Sequence, residues 1–163
     1  MTNSPTPNVI FLALSGIGNY IMQSPTIAHF RRHALNAHIT VWVAPRGTRA
    51  LAEEDPNVNQ VIEHPIKSSL REHLVTAWRL RQTSYNIGFV LHPGQHSKSA
   101  GFLWLAGTPR RIGVTYPLRG KRDSTFLLTD TVLPLPHLHD IEQNMQLLTL
   151  INIPVPTKHT SYI

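Results

Sequence analysis

Small polar residues follow directly on the first apolar run of the chain. Residues 9–14 are all apolar, and the sequence then reads SGIGN before a helical pattern begins. Glycine permits backbone conformations that a Cβ would forbid, and the first N–H groups of a helix are available to an anion or a polar ligand. The turn therefore predicts a ligand-facing loop that includes Ser15, Gly16 and Gly18.

Basic and histidine side chains are concentrated in the other loops that follow predicted strands. These residues are Lys67 after the third strand, His92, His96 and Lys98 after the fourth, and Arg119, Lys121 and Arg122 after the fifth. Carboxylates are nearly absent from the same loops, so the pattern indicates a pocket for an anionic or polyhydroxyl ligand. Polar residues also collect in loops without any function, and that alternative stays open at this point.

Strands and helices alternate along the chain, which brings these loops to one edge of a sheet. Apolar runs predict strands at residues 9–14, 38–44, 58–64, 86–91, 112–115 and 126–133, and helical patterns lie between them or after the last. The alternation predicts an α/β, three-layer Rossmann-like domain with a mostly parallel sheet. In such sheets, ligands bind outside the carboxyl ends of the strands.

Two of the predicted helices carry further expectations. Pro25 should kink the first helix, or restart it with Ser24 as the N-cap residue. The clearest amphipathic pattern is at residues 68–83, where the residues expected on one side of the helix are Leu70, Leu74, Ala77, Trp78 and Leu80.

Length and composition fit one domain over residues 1–163, with an ordered core at about 8–152. Fifteen Lys and Arg against nine Asp and Glu give a net charge of +6, which suits either an acidic partner or simple solubility. The absence of cysteine excludes disulfides and thiolate metal sites. No apolar stretch reaches the roughly 18 residues that a membrane span needs, and the N-terminus lacks the features of a signal peptide.

Several common motifs are incomplete. A dinucleotide fingerprint would need a third glycine where Ile21 stands, although Arg46 could accept a 2′-phosphate, so an NADP-binding reductase domain stays open. His137, His139 and Asp140 are a weak metal-site pattern, and no metal is predicted. Nucleic acid is not an expected partner, because the basic residues are not interleaved with aromatic ones.

The sequence resembles glycosyltransferase family 9, the bacterial heptosyltransferases of lipopolysaccharide core synthesis. Five segments carry the resemblance in the expected order: LALSGIGNYIMQSPTIAHFRR at the start, EDPNVNQVI at 54–62, YNIGFVL at 85–91 with KSA at 98–100, AGTPRRIGV at 106–114, and the late pattern HxxExNxxLL from His139. The resemblance implies the N-terminal, acceptor-side half of a GT-B glycosyltransferase.

The resemblance also implies a reaction and its partners. A heptose or a related sugar would pass, with inversion and without a metal cofactor, from a nucleotide-sugar donor such as ADP-heptose to an anionic lipopolysaccharide-core glycolipid. The protein would then be cytoplasmic, at the inner face of the bacterial inner membrane, with peripheral membrane contact. The acceptor-binding residues would be Ser15, Gly16, Gly18, Lys67, His96, Lys98, Arg119, Lys121 and Arg122.

Two departures from the family pattern matter. The acid after the second glycine, the family's base for the acceptor hydroxyl, is Asn19 here, and a carboxamide cannot take a proton near neutral pH. His92 is the candidate replacement. The chain ends where a linker should lead to the donor-binding domain, so we expect that domain to be absent or supplied by another chain. The alternative function is a non-catalytic remnant that binds the acceptor or a partner.

Overall fold

The computed structural model describes residues 6–45, 47–63, 69–94, 96–116 and 124–156, without the side chains of residues 70, 96, 97 and 124. The strands are β1 (Asn8–Ala13), β2 (His38–Val43), β3 (Gln60–Glu63), β4 (Ile87–Val90), β5 (Arg110–Val114) and β6 (Asp130–Val132). The helices are α1 (Ile17–His33), α2 (Thr48–Glu53), α3 (Leu70–Thr83), α4 (His96–Leu105) and α5 (Asp140–Thr149), with a 3₁₀ helix at Ser124–Leu127.

The strands form one sheet in the order β3-β2-β1-β4-β5-β6, and every pairing is parallel. The order reverses between β1 and β4, which is the switch point where ligands bind in doubly wound sheets. The predicted Rossmann-like fold class is therefore confirmed. No helix in the described ranges is both long enough and apolar enough to cross a membrane.

Helices cover both faces of the sheet, and each face has its own apolar core. On the α1 and α5 face, Phe11 stacks on Phe89 with ring centroids 4.7 Å apart, and Phe30 of α1 meets Phe11 edge-on at 5.5 Å. On the α3 and α4 face, Trp42 meets Phe102 at 4.8 Å. The central strands are buried on both sides, which explains their unbroken apolar runs.

The first helix runs without interruption through Pro25, so the expected restart at that residue is wrong. Pro25 lies inside α1, and the Ser24 hydroxyl donates to the Ile21 carbonyl at 3.2 Å instead of capping a new helix. Proline removes one backbone hydrogen bond from a helix. Burial of Ile27 and Phe30 on the following turns offsets that loss.

The predicted apolar side of α3 is only partly correct. A capping box between Ser69 and Glu72 begins the helix, and Ala77 is buried against the core. Leu74 and Trp78, however, are 51% and 61% exposed. Apolar residues occur on two sides of this helix, and only the side that carries Ala77 packs on the sheet.

Candidate functional site

The loop after β1 and the loop after β4 lie side by side at the switch point. Leu91 donates its backbone N–H to the Leu12 carbonyl at 3.2 Å, and the Ser15 hydroxyl donates to the Pro93 carbonyl. From α1, the buried Gln23 amide donates to the carbonyls of His92 at 3.2 Å and Pro93 at 3.3 Å. The sheet order thus brings the predicted site residues at the two loops together.

The glycine turn opens onto free space. Gly16 is the N-cap residue of α1 with φ −74°, and neither it nor Gly18 has a positive φ. The backbone of this turn therefore does not use the conformations that glycine alone permits. A Cβ on either one would meet no atom within 4 Å, so the vacant space lies beside the turn.

Backbone donors line this space. The N–H groups of Asn19 and Tyr20 both donate to the Gly16 carbonyl at 3.1 Å. Those of Ile17 and Gly18 have no acceptor among the residues that the structure describes. A phosphate, carboxylate or hydroxyl oxygen is the kind of group that such helix N-terminal donors bind.

Asn19 lies in the first turn of α1 and is partly exposed. Its side chain forms no hydrogen bond with any other described residue, so the amide can both donate to and accept from a bound hydroxyl. It supplies orientation to such a ligand and no basic group.

His92 is held between an acid and a phenol. Its Nε2 lies 3.3 Å from Asp140 Oδ1, and its Nδ1 hydrogen-bonds the Tyr116 hydroxyl. An ionised carboxylate can only accept, so a neutral His92 carries its proton on Nε2, and Nδ1 accepts from Tyr116. Tyr116, His92 and Asp140 are therefore linked in a row by the Tyr116–His92 hydrogen bond and the 3.3 Å contact between His92 Nε2 and the Asp140 carboxylate.

The side chain of Asn144, in α5, holds the backbone of His92 and of Asp140 in place. Its Oδ1 accepts from the His92 backbone N–H at 2.7 Å, and its Nδ2 donates to the carbonyls of His92 at 2.5 Å and Asp140 at 2.9 Å. Asn144 is fully buried, and the His92–Pro93 peptide bond beside it is cis. The start of α5 is thereby fastened to the loop after β4.

The predicted site residues fall into three groups. Ser15, Gly16, Gly18, Asn19 and His92 lie together at the switch point. Lys98 is exposed in the first turn of α4, where His96 is the first residue and its side chain lies outside the described part. Lys67, Arg119, Lys121 and Arg122 lie outside the described residues, as does Arg46.

Four residues contribute to the site without having been predicted to do so from the sequence: Tyr116, Gln23, Asp140 and Asn144. The spacing of Asp140 and Asn144 places them on one face of a helix, which was a usable signal. His139 of the weak metal pattern caps α5, with Nδ1 accepting from the Ile141 N–H at 3.4 Å. Across the described ranges, no group of three or more His, Asp or Glu could hold a metal ion.

Comparison with known proteins gives matches only among solved structures; no family model and no curated protein matches the sequence. The glycosyl transferase family 9 protein from Veillonella parvula DSM 2008 is 16% identical with a TM-score of 0.75, over 93% of this chain and 43% of that one. E. coli ADP-heptose lps heptosyltransferase II is 25% identical with a TM-score of 0.67, over 86% of this chain and 39% of that one.

E. coli heptosyltransferase WaaC, solved with ADP, is 14% identical with a TM-score of 0.77, over 95% of this chain and 51% of that one. The resemblance to glycosyltransferase family 9 is confirmed in the fold, since all three structures match nearly all of this chain. The chain spans about half the length of these proteins or less.

Proposed function

We propose that this chain is the acceptor-side domain of a glycosyltransferase that moves a heptose or a related sugar from a nucleotide-sugar donor to an anionic lipopolysaccharide-core glycolipid. One observation carries the proposal: the fold matches heptosyltransferases over 86% or more of the chain. The open glycine turn at the switch point adds a place where the acceptor can bind.

Acceptor binding is assigned to groups at that edge. The N–H groups of Ile17 and Gly18 suit a hydroxyl or an anionic oxygen, and Asn19 can orient the attacking hydroxyl. Lys98 supplies positive charge from the first turn of α4. Lys67, Arg119, Lys121 and Arg122 are proposed to contact phosphates or carboxylates of the acceptor, each contact being worth about 1.5–3 kcal/mol when desolvated.

Sugar transfer with inversion needs a group that accepts one proton. The acceptor hydroxyl oxygen forms a bond to the anomeric carbon while the bond from that carbon to the diphosphate oxygen breaks, and the nucleotide leaves. The hydroxyl proton must pass to a base, and Asn19 cannot take it. Tyr116 and His92 can, because the phenol oxygen can accept the proton while its own passes to His92 Nδ1.

Asp140 then has a defined part in this scheme. Its carboxylate holds the His92 tautomer in which Nδ1 accepts from the Tyr116 hydroxyl, and it stabilises the imidazolium that forms, as a carboxylate does for a catalytic histidine. The relay replaces the missing carboxylate at position 19 with three side chains from separate segments.

Transfer assays test the relay directly. The chain is mixed with a separately produced donor-binding domain, ADP-heptose and heptose-deficient lipopolysaccharide core, and product is measured. We expect Tyr116→Phe and His92→Ala each to lower turnover about 100-fold or more, whereas His33→Ala at the exposed end of α1 should change nothing. Asn19→Asp should restore much of the activity to His92→Ala. Full activity in Tyr116→Phe would show that the relay is only structural.

A second candidate is a domain that binds the acceptor without catalysing transfer. The observation that favours it is Asn19 itself, a side chain that can orient a hydroxyl and cannot deprotonate it. Acceptor binding that depends on Gly18, together with no transfer by any variant, including Asn19→Asp, would establish this candidate in place of the first.

A further inference from the structure

The outer face of α3 is apolar. Leu74, Val75 and Trp78 are 51%, 42% and 61% exposed, and their spacing places them on one side of the helix. Ala77 and Leu80, on the other side, are buried against the sheet. Single exposed apolar residues are ordinary, but a row of three large ones on one helix indicates an interaction surface.

Arginines border this row on both sides. Arg79 lies towards β3, where it lines a groove with Ile62, Glu63 and Thr76, and Arg81 lies on the side of α4, next to Gly107. The Glu63 carboxylate of that groove lies 3.9 Å from the Arg49 guanidinium. Arg71 lies one turn before Leu74 on the same side of the helix. Within the described part of the chain, none of the three guanidinium groups forms an ion pair.

Negative charge is nearly absent from the same helix. Glu72 is its single acidic residue, and the carboxylate accepts from the Ser69 backbone N–H at 2.7 Å and the Ser69 hydroxyl at 2.9 Å. The exposed side of α3 therefore combines large apolar side chains with a positive rim.

Neighbouring elements extend the apolar character of this layer. Trp104 on α4 is 55% exposed, and Phe126 on the adjacent 3₁₀ helix is 79% exposed. Both elements pack on the same face of the sheet as α3, with Phe102 of α4 meeting His73 of α3 at 5.1 Å between ring centroids.

We propose that the outer face of α3, formed by Leu74, Val75, Trp78 and the three bordering arginines, binds the surface of an anionic lipid bilayer. Tryptophan favours the boundary between headgroups and acyl chains, and arginines near that surface are attracted by anionic lipids. A helix with an apolar face and basic borders lies in the plane of the interface. The resemblance to glycosyltransferase family 9 implies peripheral membrane contact, and we assign that contact to α3; vesicle binding tests the assignment without the transfer reaction.

Binding of the intact chain to lipid vesicles tests it. The protein should sediment with vesicles of phosphatidylcholine and phosphatidylglycerol at about 7:3. A much smaller fraction of it should sediment with vesicles of phosphatidylcholine alone. Trp42 is buried and should not contact lipid, so a lipid-induced change in the emission of Trp104→Phe reports on Trp78. We expect its emission to shift to the blue with the anionic vesicles. The same vesicles should shift the emission of Trp78→Phe far less.

Substitutions at the face should weaken vesicle binding without changing the circular dichroism spectrum. We expect about tenfold weaker binding for Trp78→Ser and about fivefold for Arg79→Gln. The matched controls at the C-terminal end of α1 are Arg32→Gln in its last turn and Leu35→Ser just after the helix, and both should bind like the parent chain.

Two results would overturn the proposal. One is unchanged vesicle binding by Trp78→Ser. The other is a dimer, seen by sedimentation equilibrium without lipid, that Trp78→Ser dissociates, because the face would then belong to a second copy of the chain.

Discussion

Gly18 stands at the point where the turn after β1 is open. A Cβ there meets no atom within 4 Å and the backbone is not strained, so Gly18→Ala should raise the free energy of unfolding by about 0.5 kcal/mol. The added methyl group would occupy the space through which a ligand reaches the backbone N–H groups. We therefore expect weaker binding of heptose-deficient lipopolysaccharide core, measured by calorimetry.

Gly101, within α4, provides the matched control. A Cβ at this position also meets no atom within 4 Å, so Gly101→Ala should stabilise the fold by a similar or somewhat larger amount, as measured by urea unfolding. Its affinity for the acceptor should equal that of the parent chain. If Gly18→Ala also bound the acceptor normally, the turn would not be the binding site.

Asp130 links stability to pH at the edge of the sheet. Hydrogen bonds from Arg110, at 3.0 and 3.3 Å, and from Thr129 hold the pKa of its carboxyl below the ordinary 3.8. Because the folded state favours the ionised form, this contribution is complete above about pH 4 and is lost as the pH falls through the lowered pKa.

Replacing that carboxylate should therefore flatten the pH dependence. Both groups of the Arg110–Asp130 pair are partly exposed, so Asp130→Asn should lose only about 0.5–1 kcal/mol at pH 7. Between pH 4 and pH 2, urea unfolding should show a smaller decline for the variant than for the parent chain. Equal declines would show that Asp130 has the same pKa in the unfolded state.

At the scale of elements, one side chain joins the end of α1 to the strands beyond it. Arg31 donates to the carbonyls of Leu35 at 3.0 Å and Ala37 at 2.7 Å, and to the Asn57 carbonyl and the Asn59 side chain at 3.1 and 2.5 Å. The segments before β2 and before β3 are thereby fixed to the same helix end.

Loss of Arg31 should loosen all three segments together. We expect Arg31→Ala to lower the free energy of unfolding by about 2 kcal/mol, because several carbonyls lose a charged donor. Arg32→Ala is the control, since Arg32 is exposed and should change stability by less than about 0.5 kcal/mol. The two variants are compared by urea unfolding at pH 7, and similar midpoints would contradict the role of Arg31.

The elements were largely predictable from sequence, whereas their contacts were not. Buried parallel strands require unbroken apolar runs, so the central strands and the mostly parallel sheet followed from pattern alone. The prediction of a last strand over 126–133 was wrong in its first half, because Phe126 and Leu127 lie in the 3₁₀ helix and β6 is limited to Asp130–Val132. The side on which α3 packs did not follow, because apolar residues occupy both the buried and the exposed side. The contacts among Tyr116, His92 and Asp140 were not predictable from sequence either, because these residues meet only after the sheet has formed.

At the scale of the whole molecule, the two proposed binding surfaces lie on different parts of the domain. The candidate acceptor site is at the carboxyl edge of the sheet, and the proposed bilayer face is on the helix layer that covers one side. A domain held at a membrane through α3 could thus leave the edge at the switch point accessible to a glycolipid headgroup.

The acceptor and the nucleotide-sugar donor are expected to bind to different halves of such an enzyme. The matches cover only 39–51% of the solved heptosyltransferases, and the resemblance assigns the nucleotide-sugar donor mainly to the other half of such enzymes. We therefore expect the 163-residue chain alone to bind heptose-deficient lipopolysaccharide core and to give no calorimetric signal with ADP-heptose at micromolar concentrations. Adding a donor-binding domain should restore ADP-heptose binding. Micromolar affinity of the chain alone for ADP-heptose would instead place the donor site at the glycine turn, where a diphosphate could occupy the same N–H groups that we assign to the acceptor.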